Sequence, residues 1–480
     1  MEYEIEKLGY NPARAESIER YAQGLIGLTI REAVGEYAVE AKRNKGNLGQ
    51  LIEKGYFGYE NNNESLPDFY EAGVELKLTP FKKNKNGSYS AKERLIITMI
   101  DYMKVIYEED LYTSHLWTKA SKILLVEYLY KKDIRDTLDY KIKYATLFSP
   151  QREDLPTIEA DYHIIVSKVQ AGKAHELSEG DTYYLGAATK AQSAADRRQQ
   201  PNSPEPAKPR AFSFKTTYMT YILNHYVMRK KPREEKIIQE RTDKDLASYI
   251  IDRISRYEGE STYLLSIKFG MMILESETSK NLAARLTYRM LGVTSNRAEE
   301  LLKANIVVKT IRIEKGKSRI DENMSFPTIK FKELAEETWE ESKFARYLHE
   351  KKFLFVVYEY EKKNKKKKKK KVDKEQEPEE MILKGCQFWN MPYNDIEEHV
   401  SKVWHKTQEV IRSGNFGYKD ENGQMHYYFP KKADSPVCHV RPHGSSNKDC
   451  DEMPNGIMCP KQSFWLNKEY VYSQLEERLK

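Results

Sequence analysis

From Gly73 to Thr79 the apolar residues Val74, Leu76 and Leu78 alternate with Glu75, Lys77 and Thr79. That period of two predicts a strand that buries one set and displays the other, so that a carboxylate and an ammonium share one face. Asp68 follows Pro67, whose fixed φ suits a turn or the start of a strand, and the chain can therefore return Asp68 to the side of Glu75. Two carboxylates so placed suit a hard divalent cation, with Lys77 beside them to orient or activate water. On these residues alone a strand with a solvated charged face is the plainer reading, because 32% of the chain is charged and such spacings recur by accident.

Longer patterns recur in one order along the two halves, which is the sequence signature of a duplication. An amphipathic helix pattern, "SIERYAQGLIGLTI" at 17–30, returns as "RISRYEGESTYLLSI" at 253–267. It is followed by "NLGQLIEKGYFG" and "NLAARLTYRMLG", then by "AGVELKLTP" and "ANIVVKTIR". "SKILLVEYLY" answers "KKFLFVVYEY", and "RAFSFKTTYMTYIL" answers "KQSFWLNKEYVYSQL" near the end. Lining up the strand blocks sets Val307 opposite Glu75, Lys309 opposite Lys77, Glu300 opposite Asp68 and Thr287 opposite Glu53. The second copy thus loses two of three carboxylates and keeps the lysine.

The repeat also sets the expected boundaries: a first domain over 1–235, a linker over 236–245 and a second domain over 246–480. The Pro-rich "QPNSPEPAKPR" at 200–210 then becomes an internal surface loop of the first domain. The seven-lysine run Lys365–Lys371 lies between two strand-like segments and reads as an extended hairpin loop.

Composition adds a bias toward polyanions. The 480 residues carry a net charge of +7, with 80 Lys and Arg residues, 34 tyrosines and 16 phenylalanines, the groups that nucleic-acid surfaces use. No apolar run approaches the roughly 18–20 residues of a membrane span, and the acidic start "MEYEIEKLGY" is not a signal peptide, which predicts a cytoplasmic protein without membrane contact. The four cysteines form no CxxC pair and are expected to be free thiols.

With "KGNLGQLIE" followed by "PDFYEAGVELKLTPF", then "AHELSEGDTYYLGAATKA" and "RAFSFKTTYMT", the chain resembles the MutH family of DNA endonucleases. It is most similar to the two-copy type II restriction endonucleases of the Sau family, which cut at GATC. The resemblance implies an α/β fold of two tandem restriction-endonuclease-like domains, each a mixed central sheet flanked by helices, with a PD-(D/E)XK metal site in the first and a catalytically silent, DNA-binding or regulatory second copy. Carried over by position, Asp68, Glu75 and Glu53 form the metal environment for Mg²⁺, with Mn²⁺ able to substitute, and Lys77 is the catalytic lysine. Lys119 falls on a further family lysine, although neighbouring Lys122 leaves that register open. Lys190 falls on the base-reading lysine; the Arg-Pro that precedes it in the mismatch-repair branch is here Ala188-Thr189, while Arg441-Pro442 stands at the matching place in the second half. Lys45, Lys190, Lys215, Arg441 and Lys461 are the expected DNA contacts. The implied activity is Mg²⁺-dependent hydrolysis of double-stranded DNA at GATC, leaving 5′-phosphate ends. Self-association on DNA and a cognate DNA methyltransferase as genetic partner are expected with it. A mismatch-repair-type GATC nickase and a non-cleaving sequence-specific DNA-binding protein remain the alternatives.

Overall fold

The strand around Leu76 forms as β1, Glu75–Lys83. It runs parallel to β4, Ile123–Tyr130, and antiparallel to β2, Tyr89–Ala91; β4 pairs antiparallel with β5, Ile142–Phe148, giving the order β2-β1-β4-β5. This is a computed structural model, and it describes residues 8–41, 48–59, 66–191, 193, 195–231, 233–272, 278–361, 380–446 and 448–480. Lys45 and the run Lys365–Lys371 lie outside the described residues.

One face of the sheet behaves as its alternation predicts. Leu76, Leu124, Val126 and Ile142 pack with Ile18, Leu25, Val34, Ile52 and Phe57 from the N-terminal helices in a single apolar cluster. The opposite face does not. Instead of being solvated, Glu75 and Thr79 are buried, as is Glu127, which pairs with Thr79 across the parallel ladder. β4 is covered on both sides, which is why Ile123–Val126 reads as an unbroken apolar run rather than an alternation.

Glu127 follows that run directly and is buried with it. Burial pushes its carboxyl up to about 8, and its Oε2 has no partner among the described residues. A folded-state value above the unfolded one means that the native protein holds a proton the unfolded chain releases, so stability falls as pH rises from about 4.5 toward 8. Glu127→Gln is therefore expected to raise the unfolding temperature at pH 8 more than at pH 5, with a gain on the order of 2 kcal/mol near neutrality. Equal shifts at the two pH values in a thermal melt would count against it.

The first unit adds an antiparallel sheet of β3 (Leu95–Met99), β6 (Leu185–Thr189) and β9 (Arg210–Phe214) in the order β3-β9-β6. Asp161, on the helix Leu155–Gln170, accepts the backbone N–H groups of Tyr183, Tyr184 and Leu185 at 2.7, 2.6 and 2.9 Å, which fixes the entry to β6. The Pro-rich segment expected as a loop is a hairpin, β7 (Arg198–Gln200) with β8 (Ser203–Ala207). Pro204 and Pro206 are tolerated there because the ribbon has only two strands and both prolines are exposed.

In the second unit β10 (Ile306–Glu314) runs parallel to β12 (Lys352–Tyr360), which pairs antiparallel with β13 (Met381–Trp389). A second sheet has the order β11 (Met324–Thr328), β19 (Gln462–Leu466), β16 (Cys438–Pro442). These are the same directions and order as β1-β4-β5 and β3-β9-β6 of the first unit. Two hairpins, β14 (Gly417–Lys419) with β15 (Met425–Tyr427) and β17 (Cys450–Glu452) with β18 (Met458–Pro460), complete the unit. Phe353, Phe355, Trp339, Trp404 and Phe464 belong to its core.

The boundary differs from the expected cut. One compact unit holds Met1–Leu246 with Glu299–Asn305, the other Ala247–Ala298 with Ile306–Lys480. Residues 236–245, expected as a linker, belong to the first unit, where the N–H groups of Ile237 and Ile238 donate to Glu300 at 2.9 and 2.8 Å. Within the same unit the Lys303 ammonium reaches Asp154 and Glu299, each at 2.9 Å, over the ring of Tyr221. Among the described residues no helix is long and apolar enough to cross a membrane. The four cysteines are free thiols.

Candidate active site

The reversal that returns Asp68 to the strand is built from local pieces. Phe69 and Val74 exchange backbone hydrogen bonds of 2.9 and 3.1 Å around the turn Tyr70–Ala72, and Gly73 closes it with φ +62°, a left-handed conformation that suits glycine. Asp68 Oδ2 consequently accepts the Leu76 N–H at 2.7 Å. Glu75 begins β1 with only 2% of its surface exposed. Its Oε1 accepts from Lys77 Nζ at 2.7 Å and its Oε2 from Lys119 Nζ at 3.3 Å.

Lys119 comes from the last turn of the helix His115–Ala120, whose start is capped by Ser114 accepting the Trp117 N–H. Lys122 turns elsewhere and donates to the Ala72 carbonyl at 3.3 Å. Of the two lysines the sequence left open, Lys119 is the one at Glu75.

Glu53 opens a π-helical turn, Glu53–Phe57, that follows the helix Leu48–Ile52. Gly55 in this turn lies against Val34 so closely that a Cβ there would sit 2.8 Å from Val34 Cα. The backbone of this turn thus meets Val34 closely at Gly55, C-terminal to Glu53. Burial, then the charge of Asp68, raise the Glu53 carboxyl to about 7. Burial, then the charge of Glu75, raise Asp68 to about 6, with the Leu76 N–H, Lys77 and Lys119 opposing. Three carboxyls therefore crowd one another beside two lysines.

Two further groups escaped sequence reasoning. Tyr59 has a buried hydroxyl with no partner among the described residues, and its acidity is depressed by burial and by Asp68 and Glu53. His115, one helical turn before Lys119, bonds Thr98 at 2.9 Å and is held toward its neutral form by burial and by the Lys119 charge. Its spacing of four from Lys119 was the available signal.

The expected DNA contacts divide. Lys190 stands exposed just beyond β6, and Arg441 is exposed with its guanidinium 4.3 Å over the Trp465 ring. Lys461 is partly exposed and pairs with Asp449 at 2.5 Å. Lys215 is a correction: it is buried and its ammonium donates to the carbonyls of Glu179 and Thr182, so it braces the chain before β6 instead of facing a ligand. Glu300, matched to Asp68 by the repeat, is likewise spent on the Ile237 and Ile238 N–H groups.

Among the described residues no cluster of three or more His, Cys, Asp or Glu side chains is arranged to hold a metal ion. Asp68 and Glu75 nevertheless fit Mg²⁺, which takes one or two carboxylates and fills its other positions with water and phosphate oxygens. Their mutual repulsion is the observation that favours a cation, since an added positive charge would relieve it.

A buried glutamate with a half-buried aspartate folded back beside it and two lysines on its oxygens, at the head of a strand in a mixed sheet, defines a nuclease of the phosphodiester-hydrolysing kind. Residues 57–161 match the family model of the DNA mismatch repair enzyme MutH, a stretch that contains Asp68, Glu75, Lys77 and Lys119 and stops short of Glu53. Over 97% of its length the chain is 34% identical to the type II restriction enzyme Sau3AI of Staphylococcus aureus, covering 99% of that relative. It is 25% identical to the DNA mismatch repair protein MutH of Shewanella amazonensis over 44% of this chain and 95% of that one. The chain belongs to the Sau3AI-like type II restriction enzymes, which are related to MutH.

Proposed function

We propose that the first unit hydrolyses both strands of duplex DNA at GATC sites, leaving 5′-phosphate ends, in a Mg²⁺-dependent reaction. The observation that carries this reading is Glu75, buried between Lys77 and Lys119 with Asp68 folded back beside it. Asp68 and Glu75 would hold the ion, Glu53 would stand at its edge, and Mn²⁺ would substitute. When bound, the ion supplies positive charge to the scissile phosphate and a more acidic water. Lys77, already resting on Glu75, donates to the attacking water or to a phosphoryl oxygen as charge gathers there. Lys119 adds a second ammonium on the other Glu75 oxygen.

The second unit is read as a silent, DNA-binding copy of the first, supported by its repeated strand order and its exposed Arg441. One active centre per chain cannot cut both strands of a palindrome at once, so two chains would meet on the DNA with two-fold symmetry. Incubating the protein with supercoiled plasmid and Mg²⁺, then sequencing the ends, tests the whole reading. Linear product with ends at GATC supports it; nicked circles would favour the nickase, and a shifted but uncut band a binding protein.

Lys190 is assigned to base reading. Lys190→Ala is expected to narrow the gap between GATC and single-base variants by about 1–3 kcal/mol in relative cleavage rate. An equal loss on every sequence, with a shallower salt dependence, would instead make Lys190 a backbone contact.

A further inference from the structure

We propose that the place in the second unit corresponding to the catalytic centre is a metal-free receptor for a DNA backbone phosphate, with Lys309 as its central cation. This rests on the reading of the second unit as a DNA-binding copy, and goes beyond it by naming the site. The correspondence is fixed by strand register. Glu75 lies opposite Ile123 and Lys77 opposite Leu125 across β1 and β4; Val307 lies opposite Phe353 and Lys309 opposite Phe355 across β10 and β12. "SKILLVEYLY" and "KKFLFVVYEY" align Ile123 with Phe353, so Val307 takes the place of Glu75 and Lys309 that of Lys77.

That replacement changes what the lysine can do. Lys77 is neutralised by Glu75 at 2.7 Å, whereas Lys309 is half-buried with no hydrogen-bond or ion-pair partner among the described residues. Burial and the nearby Lys280 charge both weigh against its charged form, a cost that a bound anion would remove. Lys309 lines a cavity of about 280 Å³ together with Lys280, Asn281, Arg312, Glu322 and Ser325.

The surroundings favour an oxyanion. Lys280 and Asn281 belong to the first turn of the twelve-residue helix Ser279–Met290, capped by Thr278, so the cavity meets the positive end of a helix dipole. Lys280 and Arg312 share Glu322 at 3.0 and 3.1 Å, and Asp321, also at the cavity, lies 3.8 Å from Arg312 and accepts from Tyr360. Both carboxylates are engaged by those cations, and Lys309 is left for the ligand. A phosphodiester brings its own negative charge and needs no carboxylate, so no metal is required. In the first unit the equivalent lysine stands where the scissile phosphate has to come, and a duplex seated alike on the second unit brings a phosphate to Lys309.

The test uses the full chain carrying Asp68→Ala, so that DNA is not cut, with and without Lys309→Gln, in EDTA with a GATC duplex. Lys309→Gln is expected to weaken binding by about three- to tenfold at low salt and to make the slope of log affinity against log salt shallower by about one. Lys309→Arg should restore most of the affinity. Without DNA, Lys309→Gln should melt no lower than its parent, because it removes a half-buried charge that has no partner among the described residues, whereas the stabilisation conferred by added duplex should shrink. Unchanged affinity and salt slope would overturn the proposal. So would a lower melting temperature without DNA, which would make Lys309 a structural residue, or failure of the parent to bind duplex in EDTA. If the unsubstituted chain failed to cleave plasmid with Mg²⁺ while Lys309→Gln still flattened the salt slope, the activity reading would fall and this one stand.

Discussion

Asp68→Ala is expected to lower the single-turnover rate of DNA cleavage by on the order of 10²–10³-fold or more, while duplex affinity in the absence of divalent metal stays within about threefold of the parent. The side chain stands where charge develops in the reaction and contributes little to holding the ground-state duplex. Losing it also removes a carboxyl crowded by Glu75 and Glu53, so the variant should not melt far below the parent even though the Leu76 N–H loses its acceptor. Glu75→Ala should be at least as damaging to the rate, because it frees both Lys77 and Lys119 from their common anchor. Cleavage by Asp68→Ala at the parental rate would remove the site from consideration.

The largest effect on stability is expected far from that centre. Lys303, 2% exposed, stands between Asp154 and Glu299, also buried. Its charge holds the Glu299 carboxyl down, whereas burial keeps Asp154 raised in spite of it, and both acids serve as counter-ions to the lysine at 2.9 Å. Lys303→Ala leaves buried acid groups without their cation and should cost about 3–5 kcal/mol. Thermal or denaturant unfolding measures it, and the double change Asp154→Asn with Lys303→Met should recover part of the loss. An unchanged melting curve for Lys303→Ala would show that the network does not hold the helix Glu299–Lys303 in place. For the same reason a fragment ending at residue 235 loses Glu300 and Lys303 and is expected to be less stable than one that keeps them.

Glu300 shows where local pattern and tertiary role part. Its spacing from Lys309 copies that of Asp68 from Lys77 within a residue, which is all that a repeat can report. In the fold it accepts two N–H groups from residues more than sixty positions earlier. Lys215 parts from expectation in the same way: a lysine near a DNA-binding motif is turned inward because the carbonyls of Glu179 and Thr182 converge on it.

The features legible along the chain are those that short-range geometry controls. The period of two around Leu76 gave β1, the Pro67–Gly73 turn brought Asp68 to Glu75 eight residues or fewer away, and Lys77 followed two residues along the same face. The blocks matched in sequence, "AGVELKLTP" with "ANIVVKTIR" and "SKILLVEYLY" with "KKFLFVVYEY", form corresponding parallel strand pairs, because each block carried its own apolar pattern. Which groups lose water and which find partners was set by contacts between distant segments. The tertiary structure buried Glu75 and Thr79 on the polar face of β1, selected Lys119 over Lys122, paired Lys303 and left Lys309 without a partner among the described residues. Each of these depends on segments tens to hundreds of residues apart, and desolvation and Coulomb energy follow distance in space, which local spacing does not encode.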